Sequence, residues 1–294
     1  MESLLYRGEI IMKYFWAVII IVLVLLSLLT VAKTLFNRRA KAEVNQILST
    51  VKPDSGAVIE ASELDTLPGC VAKWLERSKV IGQERIHFVY LAQQGRMRLS
   101  PEQKWIPLQA VQYINVDDPG FVWIAHAKMA PFTGMYVRDM YYKGQGSMKG
   151  KLFALIPVVN AQPGPEMNQG VLLRFLAEMI WYPSAALQDY IIWEEIDANS
   201  ARATMTWQGV SADMIFYFND QGDMISSLAS RYQEVNGHFE LHDWGGIARE
   251  YKDFSGIRLQ NKSDIIWKYE TGDFNWLQIE VTEVRFNSFK KCSL

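Results

Sequence analysis

The stretch FVWIAHAKM, residues 121–129, sets Phe121, Trp123, Ala125, Ala127 and Met129 at every second position. Side chains alternate between the two faces of a strand but recur every ~3.6 residues on a helix, so this spacing predicts a β-strand with one apolar face. The same period returns at Ala212, Met214, Phe216 and Phe218, and again at Leu277, Ile279 and Val281, which oppose Gln278, Glu280 and Thr282. Turn signals punctuate the runs: Asp118-Pro119-Gly120, Lys143-Gly144-Gln145-Gly146, Asp197-Ala198-Asn199-Ser200, Asn219-Asp220-Gln221-Gly222, Asn236-Gly237 and Ser255-Gly256. Short strands joined by such turns predict an antiparallel meander, not βαβ units.

Two segments keep a helical period. In LPGCVAKWLERS, residues 67–78, Val71, Trp74 and Leu75 are so spaced. Pro163 and Pro165 lead into a second helix, predicted over residues 167–180, with an apolar face of Leu172, Phe175, Leu176, Met179 and Ile180. Arg174 and Glu178 form an i,i+4 pair on another face, and Pro183 stops the helix. About six strands precede this helix and about six follow it. A sheet that wide curls, closes or splits, and one helix does not cover it flat. The expectation is therefore a mainly β (α+β) fold over residues 65–290. It takes the form of a curved antiparallel sheet or half-barrel of about 11–13 strands, with one or two covering helices.

An N-terminal transmembrane helix is expected before it. Residues 15–32, FWAVIIIVLVLLSLLTVA, carry no charge and are bounded by Lys13 and Lys33. At ~1.5 Å per residue they span about 27 Å, close to the hydrocarbon thickness. Tyr14, Phe15 and Trp16 sit at one end, as an interfacial belt does. The expected organisation is a short segment 1–13, a transmembrane helix 14–33, and a juxtamembrane helix and linker 34–64. Within the last, a helix is read around residues 40–48 and a turn at Pro53-Asp54-Ser55-Gly56. The alternative to a single-pass cell-membrane anchor is a cleaved signal peptide, for which Thr30-Val31-Ala32 offers a weak small-x-small site. Either Met1 or Met12 is the start. Lys33, Arg38, Arg39 and Lys41 outnumber Arg7 and Lys13, a balance that leans toward a cytoplasmic main domain.

Composition excludes several function classes. Thirty Lys and Arg against 32 Asp and Glu give a net charge of −2, which argues against a nucleic-acid partner. Two cysteines, Cys70 and Cys292, make neither a disulfide framework nor a four-cysteine zinc site. His238 and His242 flank Glu240, but on a strand they stand ~13 Å apart, so a solvated face is preferred to a metal site. His87 and His126 read as half-buried structural residues. The glycines of 144–151 lack the P-loop spacing and read as a hairpin turn, and no G-x-S-x-G elbow exists. No cofactor is expected. Glu178, just before Trp181-Tyr182-Pro183, is a candidate acid should the chain be an enzyme, but a non-catalytic protein is the preferred reading.

The remaining signal is aromatic: 10 Trp, 13 Tyr and 14 Phe. A curved sheet lined with Trp, Met and Leu is either a packed core or a ligand cavity. As a cavity, its ligand-binding candidates are Trp105, Trp123, Arg174, Glu178, Trp181, Trp193, Trp207 and Trp244, with helix 167–180 as a lid. The expected function is then membrane-anchored binding of a lipid or other hydrophobic ligand. The alternative is a solid-core interaction or scaffold module, its protein partner unknown. Arg96 and Arg98 alternate on one face, read as solvated, with an anionic headgroup as the other reading.

Several motifs together resemble a family of uncharacterised bacterial proteins. They are Trp105-Ile106-Pro107-Leu108-Gln109-Ala110, Pro119-Gly120-Phe121-Val122-Trp123, residues 170–178 with Trp181 and Pro183, Ala201-Arg202-Ala203-Thr204, and Trp244-Gly245-Gly246 with Tyr251 and Gly256. The resemblance covers about residues 65–287 and implies an N-terminal hydrophobic segment, but no activity. The chain departs from the family's pattern at Gln260, where a proline is expected in a turn. More loosely, the strand–helix–strand order is similar to the LolA/LolB lipoprotein-carrier superfamily. That likeness implies a curved half-barrel sheltering acyl chains, outside the cytoplasmic membrane. It opposes the charge balance around the anchor, and the side of the membrane stays open.

Overall fold

A computed structural model describes residues 2–52 (backbone alone through residue 11), 56–130, 133–235 and 237–288. The turn expected at Pro53-Asp54-Ser55 lies outside the described residues, as do Met1, Asn236 and Cys292.

Thirteen strands make one antiparallel sheet. The first six are β1 (Phe88–Met97), β2 (Ile106–Asn115), β3 (Gly120–Ala130), β4 (Thr133–Tyr142), β5 (Gln145–Leu152) and β6 (Ile156–Ala161). The other seven are β7 (Ile191–Asp197), β8 (Ser200–Trp207), β9 (Val210–Phe218), β10 (Met224–Val235), β11 (His238–Phe254), β12 (Ile257–Tyr269) and β13 (Gly272–Phe286). The sheet order is β6-β5-β4-β3-β2-β1-β13-β12-β11-β10-β9-β8-β7. Each half is a meander, and the β1–β13 pairing joins the two halves. The result is a mainly β, curved half-barrel, as the alternation predicts.

The register follows from side-chain chemistry. Phe121, Trp123, Ala125 and Ala127 are buried on the concave face, whereas Met129 is exposed at the tip of β3. Lys143 (φ 49°) and Gly144 (φ 76°) form the two-residue β4–β5 hairpin, whose left-handed positions suit a glycine. Gly245 permits the closest strand approach: a Cβ there would stand 1.9 Å from the carbonyl oxygen of Ser227. The turn expected near Gln260 is instead strand. The β11–β12 register slips twice around Glu250, and Gln260 sits buried beside that slip.

The short helix α2 (Gly69–Arg77) closes one end of the concave side through Val71, Trp74 and Leu75. The helix α3 (Pro165–Ala177) runs through the concave side, followed by 3-10 turns at Glu178–Trp181 and Pro183–Leu187. Val171, Leu172, Leu173, Phe175 and Leu176 are all buried, so α3 is a core element rather than an outer lid. Both strand meanders flank it, which explains burial on more than the one predicted face.

The N-terminal helix α1 (Glu2–Leu48) is continuous through the expected membrane segment and juxtamembrane helix. Residues Met12–Leu48 are long and apolar enough to cross a membrane. Its C-terminal third docks on the convex face of the sheet. Val44 and Ile47 pack with Phe88, Tyr113 and Val122, and Phe36 meets the ring of Tyr136 at 5.8 Å. Glu43 pairs with Arg138 at 3.1 Å, and Asn115 Nδ2 donates to the Ile47 carbonyl at 2.9 Å.

Candidate functional site

A cavity of about 410 Å³ lies between α3 and the strands β1–β6 and β10–β13. Its wall is mostly apolar: Met97, Met135, Met148 and Met224 share it with Trp123, Trp181, Trp244, Trp267 and Trp276. Period-two alternation puts most of the strand residues there, whereas Trp181 comes from the 3-10 turn after α3 and Trp276 from a register slip between β12 and β13. The innermost lining residues, Trp181, Met224 and Gln260, are buried. Trp181 Nε1 donates to the Gln260 carbonyl at 2.9 Å, which fixes this floor. The exposed lining residues, Leu99 and Glu234, lie where β1 and β10 finish. The cavity therefore opens at that end of the sheet.

The same end meets α1 where its apolar stretch stops. Ile47 touches the far end of β2 through Asn115, while Leu35 lies in a crevice with Leu155, just beyond β5. Lys33 and Lys128 both face His126, whose pKa falls below the ordinary histidine value through burial first and these two charges second. Around this end Leu99, Met129, Leu155, Ile156, Val158, Phe239 and Leu241 are exposed.

One ion cluster interrupts the apolar wall. Arg174 donates from Nη1 to Asp139 Oδ2 at 2.6 Å and from Nε to Glu178 Oε1 at 2.7 Å. Gln112 Nε2 donates to Glu178 Oε2 at 2.5 Å. The Arg174 guanidinium also lies over the rings of Trp123 (4.8 Å) and Phe121 (4.9 Å). Burial pushes the Glu178 carboxyl above the ordinary glutamate value, against the pull of Arg174 and Gln112. Burial works to lower Arg174, but Glu178 and Asp139 overcome it and hold the guanidinium above its ordinary value.

Of the eight candidates read from the sequence, Trp123, Arg174, Glu178, Trp181 and Trp244 line the cavity. Trp105, Trp193 and Trp207 lie away from it. Trp105 lies within reach of two guanidinium groups, Arg96 (4.9 Å) and Arg98 (4.7 Å), and Arg96 is exposed, on the solvated face expected for it. Trp193 sits on β7 at the sheet's edge and donates to the Ala186 carbonyl at 3.1 Å, packed on Phe216. Trp207, at the end of β8, meets Tyr190. A strand's alternation places a Trp on a face, but its neighbours decide whether that face is cavity or packed core.

Sequence reasoning missed Asp139, Gln112, Arg231, Trp267 and Trp276. Two of these carried a signal. Asp139 interrupts the inward series Met135, Val137, Tyr141, and Gln112 interrupts Leu108, Ala110, Ile114. A polar residue on an otherwise apolar strand face points to a buried partner. His242 and Glu240 meet at 3.2 Å on the outer part of β11, and no group of three metal-ligating side chains occurs among the described residues.

Fold and cavity together define a class: a curved antiparallel half-barrel with an internal helix, an apolar cavity and an N-terminal apolar helix. Residues 57–279 match the family model of DUF6544, a family of unknown function, and the chain belongs to that family. No curated protein matches it. It is similar to a solved DUF1329 family protein from Desulfovibrio piger at 11% identity and a TM-score of 0.43, over 77% of this chain and 96% of that one. It is similar to a putative outer membrane lipoprotein-sorting protein domain from Vibrio parahaemolyticus at 8% identity and a TM-score of 0.42, over 78% and 95%. A LolA superfamily protein from Nitrosomonas europaea is similar at 11% identity and a TM-score of 0.39, over 75% of this chain and 94% of that one.

Proposed function

We propose that this protein is a membrane-anchored, non-catalytic binding protein for a lipid or another hydrophobic ligand. One observation carries the reading: a Trp- and Met-walled cavity of about 410 Å³ opens at the end of the sheet where α1 leaves it. Burying acyl surface there is worth roughly 0.8 kcal/mol per methylene. A ligand-sized cavity of this kind falls within the ~300–1,000 Å³ range of small-molecule sites. It weighs against a solid-core scaffold. The Glu178 carboxylate accepts from Arg174 and from Gln112. That engagement favours a structural group over a free catalytic acid.

The test is native mass spectrometry of the full chain, released gently from maltoside micelles after extraction from its membrane. The expected result is a co-purified lipid or fatty-acid mass that Trp123→Ala weakens. A bare protein mass that persists after incubation with membrane extract refutes the proposal.

A further inference from the structure

We infer that Arg231 is an anion anchor, and that the cavity takes an amphiphile with one anionic headgroup, a carboxylate or a phosphate. The inference rests on the ligand-binding reading above.

Five charged groups line the cavity, Asp139, Arg174, Glu178, Arg231 and, at the mouth, Glu234, and they are not equally partnered. Arg174 is hydrogen-bonded to both Asp139 and Glu178. Arg231 makes no hydrogen bond or ion pair among the described residues, and its Nε is shielded from solvent without a partner. Arg231 is half-buried, and a guanidinium N–H held away from water without an acceptor is costly, so such a group marks a place for one. Burial, first, and the like charge of Arg174 draw its pKa down to about 10, against the pull of Asp139 and Glu178. Arg231 therefore stays charged at neutral pH.

The guanidinium is held in place without being neutralised. It lies over the ring of Trp244 at 4.6 Å and that of Trp267 at 5.9 Å. Its stem packs on α3 at Gly170, where a Cβ would stand 3.5 Å from Nε. Trp244 Nε1 and Trp276 Nε1 are also buried donors without partners. Among the buried unpartnered atoms of the lining residues, Asp139 Oδ1 is one acceptor against these three donors. Planar guanidinium donors suit carboxylate and phosphate oxygens. The Met and Trp wall extends from this group to Met97 and Leu99 at the mouth. A headgroup on Arg231 would then leave its tail along apolar surface.

The test titrates the full chain in dodecyl maltoside with decanoate, decyl phosphate, decanol and inorganic phosphate, read by tryptophan fluorescence. The wild type should bind decanoate or decyl phosphate roughly tenfold or more tighter than decanol, the span of a charged hydrogen bond. Which of the two binds tighter identifies the headgroup. Arg231→Gln should lose that preference and bind decanol as the wild type does. Arg231→Lys, which keeps the charge but not the fork, should retain part of it and guards against a folding defect in the first variant. Equal binding of all three chains by the wild type, or a preference that survives Arg231→Gln, overturns the anion assignment alone. Inorganic phosphate competing as well as decyl phosphate overturns the amphiphile. No binding of any probe overturns the cavity reading itself, and this assignment with it.

Discussion

Arg174→Met should be the most damaging single change in the cavity wall, and its cost should depend on pH. Methionine keeps an apolar side chain of similar length but removes both charged hydrogen bonds and the guanidinium over Phe121 and Trp123. The Asp139 side chain is 1% exposed and that of Glu178 is 11% exposed, so neither carboxylate gains water when its partner goes. Breaking a buried ion pair by removing one partner costs roughly 3–5 kcal/mol. In a domain of this size each kcal/mol moves Tm by about 2–4 °C, so the expected fall is about 6–20 °C near pH 8.

The sign of the pH effect follows from the carboxylates. Glu178 already lies above its ordinary value through burial, and loss of Arg174 raises it further. A carboxyl raised on folding binds its proton more tightly in the native state, so stability falls as pH rises from the unfolded value through the raised one. Below about pH 4 the Glu178 part of the penalty disappears, because that carboxyl is protonated in either state. Thermal unfolding of the full chain in maltoside at pH 5 and pH 8 measures this. The deficit of the variant against the wild type should be clearly smaller at pH 5. A deficit under about 1 kcal/mol, or one independent of pH, would refute the buried-cluster argument.

Two further outcomes are expected elsewhere in the fold. Gly245→Ala should destabilise strongly, since its Cβ meets a Ser227 carbonyl at 1.9 Å, while Gly246→Ala finds only ordinary contacts from 3.6 Å outward. Parallel melts of the two variants separate these, and similar Tm values would contradict the strand approach drawn for β10 and β11. Asn115→Ala removes two donations, to the Ile47 carbonyl and Thr50 Oγ1, together with the acceptor for the Asp117 and Asp118 amides. It should loosen the end of α1 from the sheet. Faster amide exchange at residues 40–48, with the cavity strands still protected, would show it, and unchanged exchange would refute it.

The strand pattern was easiest to read where one face is wet. Leu277, Ile279 and Val281 alternate with Gln278, Glu280 and Thr282 because the convex face of β13 meets water. In β3 the alternation is blurred by Val122 and Ile124, which are apolar because they pack with the partly charged C-terminal third of α1. The charges from Lys33 onward suggest the end of one helix and the start of another. They lie on exposed positions, while Phe36, Ala40, Val44 and Ile47 keep one buried stripe at helical spacing. The cavity's Trp residues were legible only as a class. Trp193 and Trp207 stand on the same period, but a 3-10 turn and Tyr190 occupy their faces, and Trp105 lies just before β2 beside an arginine pair. The Arg174–Glu178 pair was visible at i,i+4, but Asp139 lies 35 residues away and comes to it only through sheet curvature.

The continuity of α1 gives the proposed function a direction. If the apolar residues up to Ala32 lie in a bilayer, the 15 residues from there to Ile47 rise about 22 Å along the convex face. Eleven residues of β3 extend about 37 Å at ~3.4 Å each, so helix and strand overlap over much of the sheet's height. The end that carries Leu99, Leu155 and Ile156 then sits at the membrane surface, with the cavity mouth beside it. A flexible tether would leave that mouth pointing anywhere. Here Glu43–Arg138, Phe36–Tyr136 and Asn115–Ile47 fix it at three heights along one helix. An amphiphile leaving the leaflet would pass tail-first or head-first over exposed apolar side chains instead of crossing open water. Under the proposed function, that geometry would make the docked stripe, and not only the cavity wall, a determinant of ligand exchange.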